Sequence, residues 1–414
     1  MMSPGPRPKI LMIAYACNPE GSGEHWLGWG WAEQAAKDYA VHLLTTPNAR
    51  AQIEKHAPQL GINPHFVAQP AGSRWGRKLK WQKEVLRVAT QLHAREKFGL
   101  VHQTTFHSFR VPFQAAELGL PSVWGPIAGG ESVPPGFYAD LGAARFSEAG
   151  RRLVNRLWLR TPAVRRSLAT ASAIFVSNRT TLEFLPPSVH GKCTIVPPNA
   201  LRTEDEVGRV TPCAPADADG SNIGAHGGTR PTFHLLYVGN CVATRALPLV
   251  FEALRNCGLK NVKLTVVGAG PALASWKARV QAWGLAGIIE FTGQVARERL
   301  PELYGRADAL VFPALRDSGG SALLEAMARG VPVICLDWAG PGEMIDASSG
   351  IKIPVRDRAE TVAGIAAAVA RLQALPALRG ELARAGRARA LACFGWEAKR
   401  RQLHATYQKL LTAP

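Results

Sequence analysis

The 414-residue chain has no run of about 18 or more apolar residues, so no segment carries the composition of a membrane-spanning helix. Cysteine is sparse and unpatterned. The seven cysteines stand singly as Cys17, Cys193, Cys213, Cys241, Cys257, Cys335 and Cys393, with no CxxC pair. That spacing excludes a disulfide framework and a thiolate zinc site, and it predicts reduced thiols in a cytoplasm. Acidic residues are also short, 31 against 49 Lys and Arg, for a formal net charge of +18. Such a charge bears on partners and solubility rather than on fold. No RNA- or DNA-binding motif accompanies it, which leaves anionic lipid and phosphorylated small molecules as partners. The opening "MMSPGPRPKILMIAYA" holds too short an apolar run for a leader and reads as a first buried strand.

What is present is an alternation of short apolar runs with amphipathic helical segments, the pattern of a parallel α/β sheet. In the first half, segments 9–16, 40–46, 100–105, 121–126, 173–178 and 193–199 read as buried strands. In the second half, segments 234–240, 262–270, 288–294, 309–315 and 332–337 do so. A chain of this length exceeds one ordinary core. The expected domains are 1–200 and 233–395, each Rossmann-like. Residues 201–232, rich in Gly, Ala, Asp and Pro without periodicity, read as a linker with a flexible insertion. Residues 396–414 form a final helix expected to pack back on the first domain. Ligands of such sheets bind beyond the carboxyl ends of the strands, where several of these runs end in Gly or a polar residue.

One of those junctions carries a specific pattern. In "PALRDSGGSALLEAMARGVPVICLD" (313–337) a strand leads through a Gly-containing turn into a helix, and seven residues separate Asp317 from Glu325. A helix N-terminus presents unpaired N–H groups and partial positive charge. The small residues Ser318, Gly319, Gly320 and Ser321 let an anion approach those donors, as at a phosphate site. Glu325, further along the helix, suits ribose hydroxyls, and Asp317 suits a sugar. The plain alternative is a Gly-rich cap with two solvated acids.

This block resembles the "E-G-F-G…LEAMA-x-G-x-PV" signature of the family-4 retaining glycosyltransferases, with Asp317 in place of the first Glu and Glu325 as the second. "DWAGPGEMI" resembles the family's "GG-x-x-E" element, which places Glu343 beside the donor pocket. "YVGNCVATRALPL" is similar to the family's diphosphate-binding element, with Gly239 kept, Asn240 where Arg is usual and Arg245 in the Lys position. The resemblance implies a GT-B fold, two doubly wound parallel-sheet domains facing a cleft. It further implies a UDP- or GDP-sugar donor, transfer with retention, and no metal or other cofactor. Arg245, Asp317 and His102 are then the catalytic candidates. His102 ends the strand in "LVHQTTFHSFRVP" (100–112), and His107 is the second choice there; for each, a structural role is the plain alternative.

The resemblance also implies acceptor-side candidates in two further loops. In "ACNPEGSGEHWLGWGWAEQ" (16–34) they are Gly21, Gly23, Glu24 and His25, with Trp26, Trp29 and Trp31 read as helix packing. In "WGPIAGGES" (124–132) the candidate is Glu131. Two basic segments follow. Residues 74–97 hold eight Lys or Arg and two acids, and 151–166 hold six Arg and no acid, both mixed with Trp, Leu and Val. They read as surfaces for anionic lipid. The plain alternative is a solvated basic face over a core stripe. The expected function is sugar transfer from a nucleotide-sugar to a glycan or lipid-linked glycan in exopolysaccharide or envelope assembly, at the inner face of the plasma membrane. The alternatives are a nucleotide-sugar 2-epimerase, a non-catalytic nucleotide-sugar-binding subunit, and a basic membrane adaptor.

Overall fold

The computed structural model describes residues 7–201, 232–256 and 258–413. The linker segment 202–231, Cys213 and Cys257 lie outside the described residues. Two compact α/β units are present. The first comprises 1–131, 151–200 and 396–414, and the second comprises 132–150 and 201–395.

The first unit is built on seven parallel strands: β1 (Lys9–Ala14), β2 (Ala40–Thr45), β3 (Asn63–Phe66), β4 (Leu100–Gln103), β5 (Ser122–Ile127), β6 (Ala173–Val176) and β7 (Cys193–Ile195). Their order is β3-β2-β1-β4-β5-β6-β7. The second unit has six: β8 (Phe233–Val238), β9 (Val262–Val267), β10 (Ile289–Gly293), β11 (Ala309–Phe312), β12 (Val333–Leu336) and β13 (Gly350–Ile353), ordered β10-β9-β8-β11-β12-β13. Central strands such as β1, β4, β11 and β12 are buried almost without interruption, because helices cover both faces of a parallel sheet. In each sheet the order reverses beside the first strand, between β1 and β4 and between β8 and β11. Those two points are where doubly wound sheets open a crevice for ligands.

All eleven strands read from sequence coincide with observed ones. β3 and β13 were not among them. Both are edge strands of four residues, only partly buried, so neither shows a continuous apolar run.

Segment 132–150 differs from expectation, for it belongs to the second unit. Val133, Phe137 and Leu141 enter that unit's core. Trp338 Nε1 donates to the Ser132 carbonyl at 3.0 Å. Arg358 Nε donates to Asp140 Oδ1 at 2.8 Å while its terminal nitrogens hold both oxygens of Glu252. Residues 396–414 belong to the first unit. There Trp396 packs edge-on against Trp26 and Trp31, at 5.4 and 5.8 Å between ring centroids. Trp29 and Trp31 are buried in the same core, as read from the sequence.

The two basic segments differ in what they cover. The Arg74–Glu96 helix sends Trp81, Val85 and Ala89 into the core; Lys80, Lys83, Arg87 and Arg95 are exposed on it, whereas Lys78 lies over the Phe106 ring at 5.0 Å. The Ala144–Leu159 helix leaves Phe146, Leu153 and Leu157 at 70, 59 and 52% exposure. Their spacing puts them on one stripe of the helix. Arg145, Arg156 and Arg160 are exposed on or just beyond the same helix. Among the described residues no single helix is long and apolar enough to cross a membrane.

Candidate functional site

In the second unit the loops after β8 and β11 meet at the switch point of the sheet. Leu315 N–H donates to the Thr244 carbonyl at 3.0 Å, which ties the two loops together. A short 3-10 turn, Ala243–Arg245, then carries Arg245 beside Asp317, and the two form an ion pair through Nη1 and Oδ2. The Arg245 guanidinium also lies 5.1 Å from the centroid of the Phe312 ring, at the end of β11. Its Nε is buried without a hydrogen-bond partner among the described residues.

Asp317 Oδ1 accepts the N–H groups of Gly319 and Gly320 at 2.9 and 3.1 Å. This revises the reading of 318–321 as an open anion cradle and of Asp317 as a sugar contact. A short acid two residues before a turn satisfies the nearest amides itself. Asp317 is therefore the clamp that shapes the turn and holds Arg245. Gly320, at φ 53°, caps the Ser321–Ala328 helix in a left-handed conformation that favours glycine. Ser318 and Ser321 lie on this same turn.

The turn is backed by the Ala339–Met344 helix. Gly340 N–H donates to the Asp317 carbonyl at 3.1 Å, and a Cβ at Gly340 would stand 2.4 Å from the Ser318 carbonyl oxygen. Only glycine allows that approach, so the "GPGE" element (340–343) is packed on the "DSGG" turn. Glu343 follows on this helix, half-buried, with its carbonyl accepting from Arg389 at 3.2 Å. Glu325 is held by Tyr304, whose hydroxyl donates to Oε2 at 3.1 Å, and lies 3.6 Å from Arg297. Gly239 and the exposed Asn240 open the loop after β8, where the Asn240 carbonyl accepts from Tyr237 at 3.0 Å. The structure thus gathers the 239–245, 317–321 and 340–343 residues around one turn. Tyr304 and Arg297 were missed by sequence reasoning, because neither belongs to a motif.

The first unit corrects two assignments. His102 lies within β4 and is fully buried. Its Nε2 donates to the Gly125 carbonyl at 2.8 Å and its Nδ1 accepts from the Tyr407 hydroxyl at 2.6 Å. A carbonyl only accepts, so this pairing fixes the neutral tautomer. Burial lowers its pKa to about 4. Both nitrogens are used, and His102 is a core histidine. Glu131 is likewise interior: it accepts from Gly129 N, Asn178 Nδ2 and Thr181 Oγ1 at 2.9, 2.7 and 3.0 Å. It organises the loop after β5.

His107, the second choice, sits instead in the loop at the carboxyl end of β4. Its backbone N–H donates to Glu24 Oε1 at 2.9 Å, joining this loop to the first residue of the Glu24–Ala36 helix. Its Nε2 is buried without a partner among the described residues. Burial lowers the His107 pKa, against the pull of Glu24. Burial raises that of Glu24, but His107, its N–H and Lys78 outweigh it and hold the carboxyl below its ordinary value. Gly21 is half-buried in the turn, Gly23 caps the Glu24–Ala36 helix, and His25 is exposed. Lys399 also acts on His107. It is buried, with Nζ on the Pro197 carbonyl and 5.6 Å from the Trp31 ring, and desolvation lowers its pKa to about 7.

Comparison with known proteins agrees with this geometry. Residues 227–389 match the family Glycosyl transferases group 1. The D-inositol 3-phosphate glycosyltransferase of Geodermatophilus obscurus is 32% identical over 185 residues, 42% of this chain and 39% of that protein. The aligned part thus spans well under half the length of that curated relative. Sucrose-phosphate synthase from Thermosynechococcus elongatus superposes with a TM-score of 0.63 at 19% identity, covering 99% of this chain and 100% of the other. HepE from Anabaena, in complex with UDP, gives 0.61 at 14%, covering 97% and 100%. The fold is accordingly GT-B, two Rossmann-like α/β units, and the similarity to Glycosyl transferases group 1 extends over residues 227–389.

Proposed function

We propose that this protein is a retaining glycosyltransferase that moves a sugar from a nucleoside diphosphate-sugar to a glycan or lipid-linked glycan. The observation that carries the reading is the Arg245–Asp317 pair at the switch point of the second sheet, in the domain matched to group 1 glycosyl transferases. Arg245 supplies the charge for the donor diphosphate, and Glu325 and Glu343 supply acceptors for hydroxyls. Asp317 sets the guanidinium by holding one edge of it. In this mechanism the acceptor oxygen bonds to the anomeric carbon as the carbon–phosphate oxygen bond breaks on the same face. The acceptor proton passes to the departing phosphate oxygen. No protein nucleophile is required, and stabilising the leaving diphosphate is the main electrostatic task.

UDP is the first nucleotide to try, since HepE binds it. Calorimetric titration with UDP and GDP is expected to show one of them binding, about tenfold or more weaker in Glu325→Ala, as for loss of a charge-assisted hydrogen bond. Equal binding in that variant would remove Glu325 from the donor site. Epimerised free sugar without acceptor would favour the epimerase alternative.

The proposed location is cytoplasmic and peripheral, on the inner face of the plasma membrane. It rests on the Ala144–Leu159 helix, with Phe146, Leu153 and Leu157 exposed beside arginines. Flotation with phosphatidylglycerol-containing vesicles is expected to recover the protein, and with pure phosphatidylcholine to recover little. Combined Leu153→Ser and Leu157→Ser should weaken vesicle affinity by about 100-fold or more, each buried leucine being worth roughly 1.5–3 kcal/mol. Undiminished recovery would place the membrane contact elsewhere.

A further inference from the structure

The first unit has a switch point of its own, between β1 and β4, which the donor chemistry above does not use. The Arg74–Glu96 helix delivers a cation there. Lys78 Nζ stands 5.0 Å from the ring centroid of Phe106, in the loop after β4, and 6.0 Å from that of Tyr15, the residue after β1. It is also 5.4 Å from the ring of Trp75, one turn earlier on its own helix. Three rings around one half-buried ammonium hold it by cation–π attraction. Glu24, whose carboxylate feels the Lys78 charge, accepts the His107 backbone N–H at 2.9 Å. The second unit repeats the pattern in Arg245, Phe312 and Asp317: a cation beside a phenylalanine ring, and an acid that takes loop amides.

A second cation shares the Trp75 ring. The Arg110 guanidinium lies 5.9 Å from its centroid, and Arg110 Nε donates to Asn155 Oδ1 at 2.6 Å, which sets the plane of the group. Two like charges beside one ring repel each other. Residues 74–83, 104–113 and 151–160 hold ten Lys or Arg and no acid, so the surface they form attracts an anion. The aromatic side of this patch suits a sugar. Trp75 is 37% exposed, and Trp158 lies 5.8 Å from it between ring centroids. Trp158 Nε1 donates to the Arg110 carbonyl at 2.6 Å, which joins the rings and the guanidinium in one framework. The negative face of an indole attracts the C–H side of a sugar, and the cations attract phosphate oxygens.

We infer that Trp75, Lys78, Arg110 and Trp158 form an acceptor site for a sugar that carries a phosphate. Lys78 and Arg110 take the phosphate oxygens, and the exposed face of Trp75 takes the sugar ring. The inference rests on the transferase reading above in calling this sugar the acceptor. Leu157, the residue before Trp158, is 52% exposed, so an alkyl chain esterified to the phosphate has an apolar stripe to follow on the same helix. The chemistry recognised is the sugar phosphate, free or lipid-linked.

The test uses the full chain. Saturation-transfer difference titrations are made with glucose, galactose and mannose, with their 1- and 6-phosphates, and with the dodecyl ester of each 1-phosphate, without and with saturating UDP. At least one phosphate is expected to bind about tenfold or more tightly than its parent sugar, as for a charge-assisted hydrogen bond, and to do so in the presence of UDP. Lys78→Met keeps an apolar stem among the rings and should abolish that preference, while Lys78→Arg should retain it. Trp75→Ala, at an exposed position, should weaken the preferred phosphate by about fivefold. A dodecyl ester bound more tightly than the free phosphate assigns the lipid-linked source, and equal binding assigns the soluble one. No preference in any pair, a preference that UDP abolishes, a preference kept in Lys78→Met, or undiminished binding in Trp75→Ala overturns the inference. UDP calorimetry on the same samples separates the two readings. UDP binding without a phosphate preference sinks this site alone, and the preference without UDP binding sinks the donor site alone.

Discussion

Arg245→Ala is expected to lower turnover of the nucleotide-sugar by about 10²–10³-fold, the loss usual when one donor to a developing oxyanion is removed. Arg245 is the cation that the loop after β8 carries to the switch point, and it is held there from two sides. Asp317 takes Nη1, while the Thr244–Leu315 hydrogen bond fixes the backbone next to it. A guanidinium has five N–H donors, so one edge on Asp317 leaves others for a diphosphate. Stability should change far less. Asp317 keeps the Gly319 and Gly320 amides, so its carboxylate is not left bare, and a loss of about 1–2 kcal/mol is expected. Arg245→Lys should recover only part of the rate, because an ammonium cannot serve Asp317 and a phosphate in one plane. Turnover of Arg245→Ala within about threefold of wild type would remove the phosphate-site assignment.

The second large effect is on stability. His102→Ala is expected to cost about 3–5 kcal/mol, the range for emptying a buried ring site. It also strands the Tyr407 hydroxyl and the Gly125 carbonyl. The pH dependence identifies the ring. Its pKa is about 4 in the folded protein against an ordinary 6.5. Between those values the unfolded chain binds a proton that the folded chain refuses, so stability rises with pH across the window. The contribution is complete above pH 6.5 and declines as pH falls toward 4, a swing of about 3 kcal/mol. Urea titrations at pH 7 and pH 5 should show this decline reduced in His102→Ala. It should not be abolished, since burial also lowers the pKa of His42, His65 and His107. An unchanged decline, with turnover lost and stability kept, would return His102 to catalysis.

The contrast between His102 and His107 shows what was legible in the sequence and what was not. Buried parallel strands announce themselves as apolar runs, so eleven of them and the two-unit α/β organisation could be read. The 313–345 block could be read because its glycines have backbone reasons, as at Gly320 and Gly340. A histidine within a strand, by contrast, carries no local sign of whether its ring is consumed inside the core; for His102 that is decided by the Tyr407 hydroxyl and the Gly125 carbonyl, 305 and 23 positions away. His102 falls inside β4 and His107 beyond it. Glu131 misled for a related reason: acid after glycines marks a tight loop, and the tight loop consumed the acid. The membership of 132–150 in the second unit rests on Phe137, Trp338 and Arg358, contacts between segments that no local pattern records.

The final helix has a consequence for synthesis. The first unit needs residues 396–414, whereas the second is complete at residue 395. On a ribosome the second unit can therefore close first, although its sheet begins only at Phe233. His102 and its partner Tyr407 are separated by 305 positions. At about 5–20 residues per second, the histidine waits roughly 15–60 s on the nascent chain for that hydroxyl. Through that interval Trp31, which packs against Trp396, also lacks its cover. The early half of the polypeptide is thus the late half to mature, and it is the part with most to gain from a chaperone.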